Sequence, residues 1–544
     1  MRSIRNLYLL LFMLILTVNE SDACTNFLVT KGASTDGSTM ITYNADAGGF
    51  MEPLVYLPAQ KYAPNDSLEV YDWDTGKFLG KIKQATETFL VTGNINEYQV
   101  SIGETTFTGR TELQDTNGIM DYGSLIRITL QRAKTAREAI QIIGNLVSEY
   151  GYYSTGESFS IADPNEVWIM ELIGKGGIEK GAVWVAVKIP DGYIAAHANQ
   201  ARIRNFPLNE PDNCIYSKDV ISFAKQQGYY NPDTDGEFSF VDAYCPLDPT
   251  GLLFCEGRVW SLFNNAAPSL NLSTDYWRCV QDAEPYPLYI KPDKKLSVAD
   301  VFDLFRDHFD GTEFDLKKGM GSAPFGNPSR WKPLTFKIDG DTTQYAWERP
   351  ISTQQTAFSF VSQMRSWLPR EIGGIFWYGV DDNYTNVYVP IYCSNLEPPP
   401  SSQGYSIKDF SLNSAFWVFN LVANLAYTKY DYAIIDIQKV QKELEDKFFA
   451  FQPAVEMAAS EIYKKDRNLA VRYLTDYSNS QFEQTVDAWR QLWEDLVVKY
   501  NDGYINDVNK AGGRHPKGVG YGNEYLKHVI KERPGYYDVK WRKK

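Results

Sequence analysis

Cys24 stands directly behind a stretch that reads as an export leader, and that position gives its thiol a chemistry the other cysteines lack. Arg2 and Arg5 precede an apolar run over 7–18, and small residues follow at Ser21 and Ala23. This pattern predicts a secretory signal, 1–23, removed before Cys24. Cys24 would then be the first residue, with a free α-amine beside its thiol. Such an amine has an ordinary pKa of about 7.7–8.0 and a thiol about 8.5, so one can take the other's proton near neutral pH. Base assistance of this kind is typically worth about 10²–10⁴ in rate, and a terminal nucleophile helped by its own amine is an established device. Two other readings compete. One is a lipidated anchor, although Ser21 and Asp22 stand where a lipobox needs an aliphatic and a small residue. The other is a structural thiol.

The remaining chemistry-bearing residues exclude more than they support. His197, His308, His515 and His528 form no HExxH pair, and 156–160 lacks the last glycine of a nucleophile elbow. No phosphate-cradling Walker loop is present. His197 and Asn199 could complete a Cys-His-Asn set with Cys24. They lie two residues apart on one predicted strand, however, so His197 reads better as a structural histidine. Residues 231–242 resemble a calcium loop, with Asn231 at position 1 and Asp242 at position 12, yet they also read as an Asx-rich turn. Cys214, Cys245, Cys255, Cys279 and Cys393 match no zinc spacing. An exported chain permits disulfides, and Cys245 with Cys255 could close a small loop.

The elements that must position Cys24 are antiparallel strands. Thr25, Phe27 and Val29 alternate with Asn26, Leu28 and Thr30; a turn at Asp36-Gly37 follows, then a second strand over 38–46. Further paired strands are predicted over 88–107, a helix over 124–150 with a capping box at Thr135 and Glu138, and hairpins over 159–172 and 182–199. Strand pairs with helices inserted in blocks favour stacked α+β layers over a parallel βαβ fold. A proline-rich boundary at 396–404 separates this core, 24–395, from a helical extension, 405–544. Helices are expected there over 431–447, 454–472 and 481–500, and Lys540, Arg542, Lys543 and Lys544 form a basic end.

Composition sets the outer bounds. With 44% apolar residues the chain can offset the entropy of ordering, so global disorder is excluded. A formal net charge of −14 argues against nucleic acid as a partner. The leader's apolar run is too short to span a bilayer, which needs about 20 residues. The best later stretch, 410–427, is broken by Ser411, Asn413, Ser414, Asn420 and Asn424. The expectation is an exported protein, periplasmic or secreted, with no stable membrane insertion once the leader is gone.

The opening CTNFLVTKGASTDGSTMITYNAD resembles the bacterial N-terminal-cysteine dipeptidases of the dipeptidase D type, related to the secernins. So do NINEYQVSIGETTFTGR, YGYYSTGESFSIADPNEVWIMELIG, WVAVKIPDGYIAAHANQARI and RVWSLFNNAAPS. The resemblance covers roughly 24–393 and adds little beyond it. It implies an Ntn-hydrolase fold, a four-layer αββα sandwich of two antiparallel sheets, and dipeptides as substrates. It also implies site roles: Cys24 as nucleophile, Asp46 to orient the α-ammonium, Asn96 as oxyanion donor, and Asn199 and Arg258 lining the site. Relatives commonly carry arginine where this chain has Tyr43.

On this reading the Cys24 thiolate attacks a dipeptide carbonyl, its own amine shuttles the proton, and water then cleaves the thioester, with no metal or cofactor required. Two rivals stand beside it. An acylase would cleave N-acyl amides of the penicillin or bile-salt type with the same apparatus, and a surface lipoprotein would bind peptide or glycan without catalysis. The oligomeric state is left open, a homo-oligomer included.

Overall fold

The residues that follow Cys24 form the hairpin their alternation predicts. In the computed structural model, which describes residues 24–510 and 515–540, β1 (Asn26–Val29) runs antiparallel to β2 (Thr39–Asp46), with Leu28 opposite Ile41 and Val29 opposite Met40. The predicted leader, 1–23, and the basic end at Arg542, Lys543 and Lys544 lie outside the described residues. The Asp36 carboxylate tightens the turn by accepting from the Ser38 amide at 3.0 Å and the Ser38 hydroxyl at 2.6 Å.

Every residue of both strands is buried, because the hairpin sits in the middle of a seven-stranded sheet. β1 pairs on its far side with Ile194–His197, and β2 with Thr356–Met364. Beyond that strand lie Ile375–Val380 and Val389–Tyr392. The alternation therefore separates two covered faces rather than a wet one from a dry one. One face meets helices. The other meets an eight-stranded sheet, in which β3 (Ser101–Phe107) pairs with β4 (Gly156–Ala162) over its whole length. The strands Val167–Gly174, Ala182–Lys188 and Cys214–Tyr216 continue this sheet on one side, and short strands back to Tyr56–Leu57 on the other. All named strand pairs among the described residues are antiparallel.

The sheets touch through small and polar groups. Ser101 and Ser362 hydroxyls hydrogen-bond at 2.7 Å across the gap. A methyl group added at Gly103 would lie 3.0 Å from the Asn26 side-chain amide and 3.1 Å from the Thr42 carbonyl, so the close approach at this point needs glycine.

Helices cover the outer faces. α1 (Tyr122–Leu130) and α2 (Ala136–Tyr150) pack on the eight-stranded sheet, Ile140, Ile143 and Val147 sharing one apolar cluster with Phe159, Ile161 and Trp168. The single helix expected over 124–150 is thus two. The Thr135 hydroxyl accepts from the Glu138 amide and starts α2, so the capping signal marks a boundary rather than a feature inside one helix. Gly151, at φ 79°, ends it.

Residues 182–199 also depart from expectation. Ala182–Lys188 and Ile194–His197 do not pair with each other; the chain leaves one sheet and enters the other. The turn at Pro190-Asp191-Gly192 is tied to the end of β1, where the Thr30 hydroxyl accepts from the Gly192 and Tyr193 amides at 2.9 and 3.1 Å. That anchor directs the next strand onto β1.

On the seven-stranded sheet lie α3 (Gly257–Ala266), α4 (Ala415–Ala426), α5 (Tyr430–Tyr463) and α6 (Arg467–Lys499), the last three sharing the main apolar core with the strands. The C-terminal helices are therefore a layer over the sheet, with Arg306 of the core bonded to Glu445 of α5 in a buried pair. The break expected between 447 and 454 does not occur. α5 runs through Pro453, whose side of the helix faces solvent, because Phe448, Val455 and Ala459 are held in the core on either side of it. All six cysteines are free, so the 245–255 bridge is absent: Cys245 Sγ accepts from Gln200, and Cys255 Sγ donates to the Asn199 carbonyl. No helix among the described residues is long and apolar enough to cross a membrane.

Candidate active site

Cys24 is held at the entry to β1 by its backbone. The Arg258 guanidinium of α3 donates to the Cys24 carbonyl, to Thr25 Oγ1 at 2.8 Å and to Asn199 Oδ1 at 2.9 Å. Arg258 is wholly buried, and burial together with the charge of Arg349 pushes its pKa down to about 10. A turn of π-helix, Leu252–Glu256, precedes it. Asn199 takes a left-handed backbone (φ 56°) and donates to the Thr106 carbonyl at 2.7 Å. Asn199 and Arg258 thus act as predicted neighbours of Cys24, though both line an adjoining cavity with Arg349 rather than the one its sulfur faces.

The sulfur opens into a cavity of about 330 Å³, at the small end of ligand pockets. Asp46 lines it at the end of β2. Its carboxylate accepts from Thr356 Oγ1 at 2.6 Å and pairs with Arg349 at 3.0 Å, and burial, outweighing these partners, raises its pKa. Tyr43 and Glu104 also line the cavity. The Cys24 thiol lies 3.5 Å from Tyr43 Oη and 3.6 Å from Glu104 Oε1, and the Tyr43 hydroxyl donates to that same carboxylate. Behind Glu104 lies Glu157, whose carboxyl accepts from Thr106 Oγ1 at 3.0 Å. Burial and then the neighbouring Glu104 charge push Glu157 well up, and burial raises Glu104 as well. The Cys24 thiol is likewise pushed well up, by burial first and then by Glu104 and Asp46.

Asn26, one strand position further in, locks the two sheets together at this point. Its amide nitrogen donates to the carbonyls of Thr25 and Thr42, and its oxygen accepts from the Glu104 amide at 3.0 Å. The backbone next to Cys24 and that of Glu104 are thereby tied to the same side chain.

Asn96 is not brought to the cavity. Its nitrogen donates to the Leu130 and Ala133 carbonyls, both at 2.7 Å, and its oxygen accepts from the Tyr98 and Val100 amides at 2.9 and 3.0 Å. All four bonds pin the loop after it to the end of α1, and no N–H remains for an oxyanion. Asn94 lines the cavity instead, with one N–H of its amide given to the Ile102 carbonyl at 2.9 Å. It is presented by a turn that needs glycine before it: Gly93 has φ 57°, and a Cβ there would collide with the Phe376 ring.

His197 is structural. It lies between the sheets, Nδ1 bonded to Thr105 Oγ1 and Nε2 to Ser160 Oγ, each at 2.7 Å, and burial lowers its pKa to about 3. An unfolded imidazole titrates near about 6.5. The unfolded chain therefore binds one more proton than the folded chain between those values, and stability present above pH 6.5 is lost as pH falls. The slope is up to about 1.4 kcal/mol per pH unit. His197→Gln is expected to be less stable at pH 7 but to lose stability less steeply between pH 6 and 4, as read from urea midpoints; an unchanged slope would mean that His197 is charged in the fold.

The 231–242 loop closes on itself. Asp235 accepts from the Asn231 amide at 2.8 Å, Asn231 Oδ1 accepts from the Asp233 amide, and Asp242 turns away to Arg204. This is the Asx-rich turn of the two sequence readings, and no group of three or more metal-ligating side chains occurs among the described residues.

Comparison with known proteins places the chain in a family. The model of peptidase family C69 matches residues 23–61 and 55–443, the match opening one residue before Cys24. A probable dipeptidase of Latilactobacillus sakei is 26% identical over 511 residues, covering 88% of this chain and 96% of the relative. A probable dipeptidase of Salmonella dublin is 27% identical over 404 residues, 71% of this chain and 84% of the relative. Dipeptidase A of Lactobacillus helveticus is 25% identical over 515 residues, 88% of this chain and 98% of the relative. With the family's pattern extending from the buried thiol through both sheets and into the helical layer, the chain belongs to peptidase family C69.

Proposed function

We propose that this chain is a cysteine dipeptidase that works from an N-terminal nucleophile, on the four-layer αββα sandwich of the Ntn hydrolases, once residues 1–23 have been removed on export. The observation that carries the reading is the setting of Cys24: a thiol fixed at the mouth of a central strand, facing a small cavity, with Tyr43 and Glu104 as its side-chain partners and no histidine among them. A base is needed, since burial holds the thiol protonated, and the amine exposed by processing is carried on the same residue. The relatives' names support dipeptides as the substrate.

As Sγ attacks the scissile carbonyl carbon, the α-amine takes the thiol proton and the C–S bond forms. Asp46 orients the resulting ammonium. The oxyanion is held by a cavity-facing N–H of Asn94, which takes the role that the resemblance assigned to Asn96. Collapse breaks the C–N bond while the ammonium returns its proton to the leaving amine. Water, deprotonated by the same amine, then cleaves the thioester and frees the first amino acid. Arg258, itself bonded to Asn199, holds the Cys24 backbone throughout.

Acid-quenching the processed protein during dipeptide turnover and weighing it intact tests this directly. One aminoacyl group attached to the Cys24 peptide is expected, and turnover without any adduct at Cys24 under single-turnover conditions would overturn the reading. The two asparagines separate in the same assay. Asn94→Ala is expected to lower kcat by about 10² with little change in melting, as for other lost oxyanion donors. Asn96→Ala, which strands four buried backbone groups at about 1–3 kcal/mol each, is expected to lower the melting temperature while the folded fraction keeps its kcat.

A further inference from the structure

Glu104 is a buried carboxylate with no cation. It is 2% exposed and lines the cavity beside Cys24, its partners are the Tyr43 hydroxyl and the Cys24 thiol, with Glu157 behind it, and burial raises its pKa. Among the described residues no lysine, arginine or histidine pairs with it. The other carboxylates of the cavity are placed differently: Asp46 is met by Arg349, Glu52 by Arg127, and Asp74 is exposed. A buried charge without a counter-ion is costly. A carboxylate against a nucleophilic thiol also works against the thiolate, which is why Glu104 stands second only to burial among the groups that raise the Cys24 pKa. Such an arrangement is explained if a cation arrives with the ligand.

The geometry fixes which cation. In an unblocked dipeptide the α-nitrogen is two bonds from the carbonyl carbon, about 2.5 Å away by standard bond lengths. With that carbon at an attack distance of about 3–3.5 Å from sulfur, the ammonium falls within a few ångströms of Sγ, and Glu104 Oε1 is 3.6 Å from Sγ. We propose that Glu104, backed by the Glu157 carboxyl, is the counter-ion for the free α-ammonium of the substrate's first residue. This rests on the dipeptidase reading and deepens it. Glu104 selects unblocked substrates over N-acylated ones.

The test compares an unblocked dipeptide with its N-acetyl counterpart on the processed protein. The wild type is expected to favour the free amine by at least 100-fold in kcat/KM, and Glu104→Gln to reduce that ratio to below 10-fold, chiefly through KM of the unblocked substrate. Equal losses on both substrates would overturn the proposal and place Glu104 with the enzyme's own α-ammonium instead; an unchanged ratio would overturn it as well. Wild-type protein that cleaves neither substrate would remove the dipeptidase reading itself, and this proposal with it. Should Glu104→Gln fail to fold, inhibition of the wild type decides. L-alaninol is expected to bind at least tenfold more tightly than N-acetyl-alaninol, and equal inhibition would refute the assignment.

Discussion

Replacing Cys24 by alanine is expected to abolish dipeptide turnover while leaving the fold intact. The loss should be on the order of 10⁴-fold or more in kcat, the scale seen when a nucleophile is removed from a site whose groups act as a unit. The fold should not suffer, because the sulfur contributes only two long contacts, at 3.5 and 3.6 Å, and sits against carboxyl groups that oppose its ionisation. The backbone of residue 24, which Arg258 holds, is untouched. Steady-state kinetics with a thermal melt check both halves. A variant that keeps more than a hundredth of the wild-type kcat would show that the nucleophile lies elsewhere.

Arg349→Met is expected to be among the most damaging changes to stability. Arg349 is 3% exposed and Asp46 fully buried, and they pair at 3.0 Å across a sequence gap of 303 residues. Removing the cation leaves Asp46 with Thr356 as its side-chain partner and a buried carboxylate uncompensated, which typically costs about 3–5 kcal/mol. Since the pair's two charges cancel, the double variant with Asp46→Asn is expected to regain part of that stability but no activity. Denaturant midpoints for the single and double variants measure the coupling; additive losses would show that the pair contributes nothing as a pair.

What the sequence revealed of this site follows the physics of each element. Cys24 was legible because it opens a local hairpin with a turn signal between its strands, whereas Asp46, at the far end of that hairpin, entered only through the family resemblance. Arg258 and Asn199 could be placed only through the family resemblance, since a lone arginine on a helix and an asparagine after a strand have no signature of their own. Asn96 misled because an Asn-Glu pair at a strand end looks the same whether its amide faces a cavity or caps its own loop. Glu104 did leave a trace. It shares its strand face with Ile102, whose side chain lies in an apolar cluster, so an acidic residue stands in a row where burial demands an apolar one. Arg349 left none, because its partner is set by how distant strands are brought together. The same distinction explains the architecture. Antiparallel pairing within 156–174 was readable from a local turn, whereas the passage of 182–197 from one sheet to the other depends on an anchor at Thr30, far away in sequence.

The central claim is that sulfur and amine on one residue, exposed by processing, perform the cleavage together. Intact mass and N-terminal sequencing of the exported protein, paired with the activity of a form that keeps one extra residue ahead of Cys24, tests it most directly. The account predicts an active protein that begins at Cys24 with a free amine, and an extended form that is folded but inactive. A secreted protein that starts elsewhere, or an extended form that cleaves dipeptides at the same rate, would contradict it.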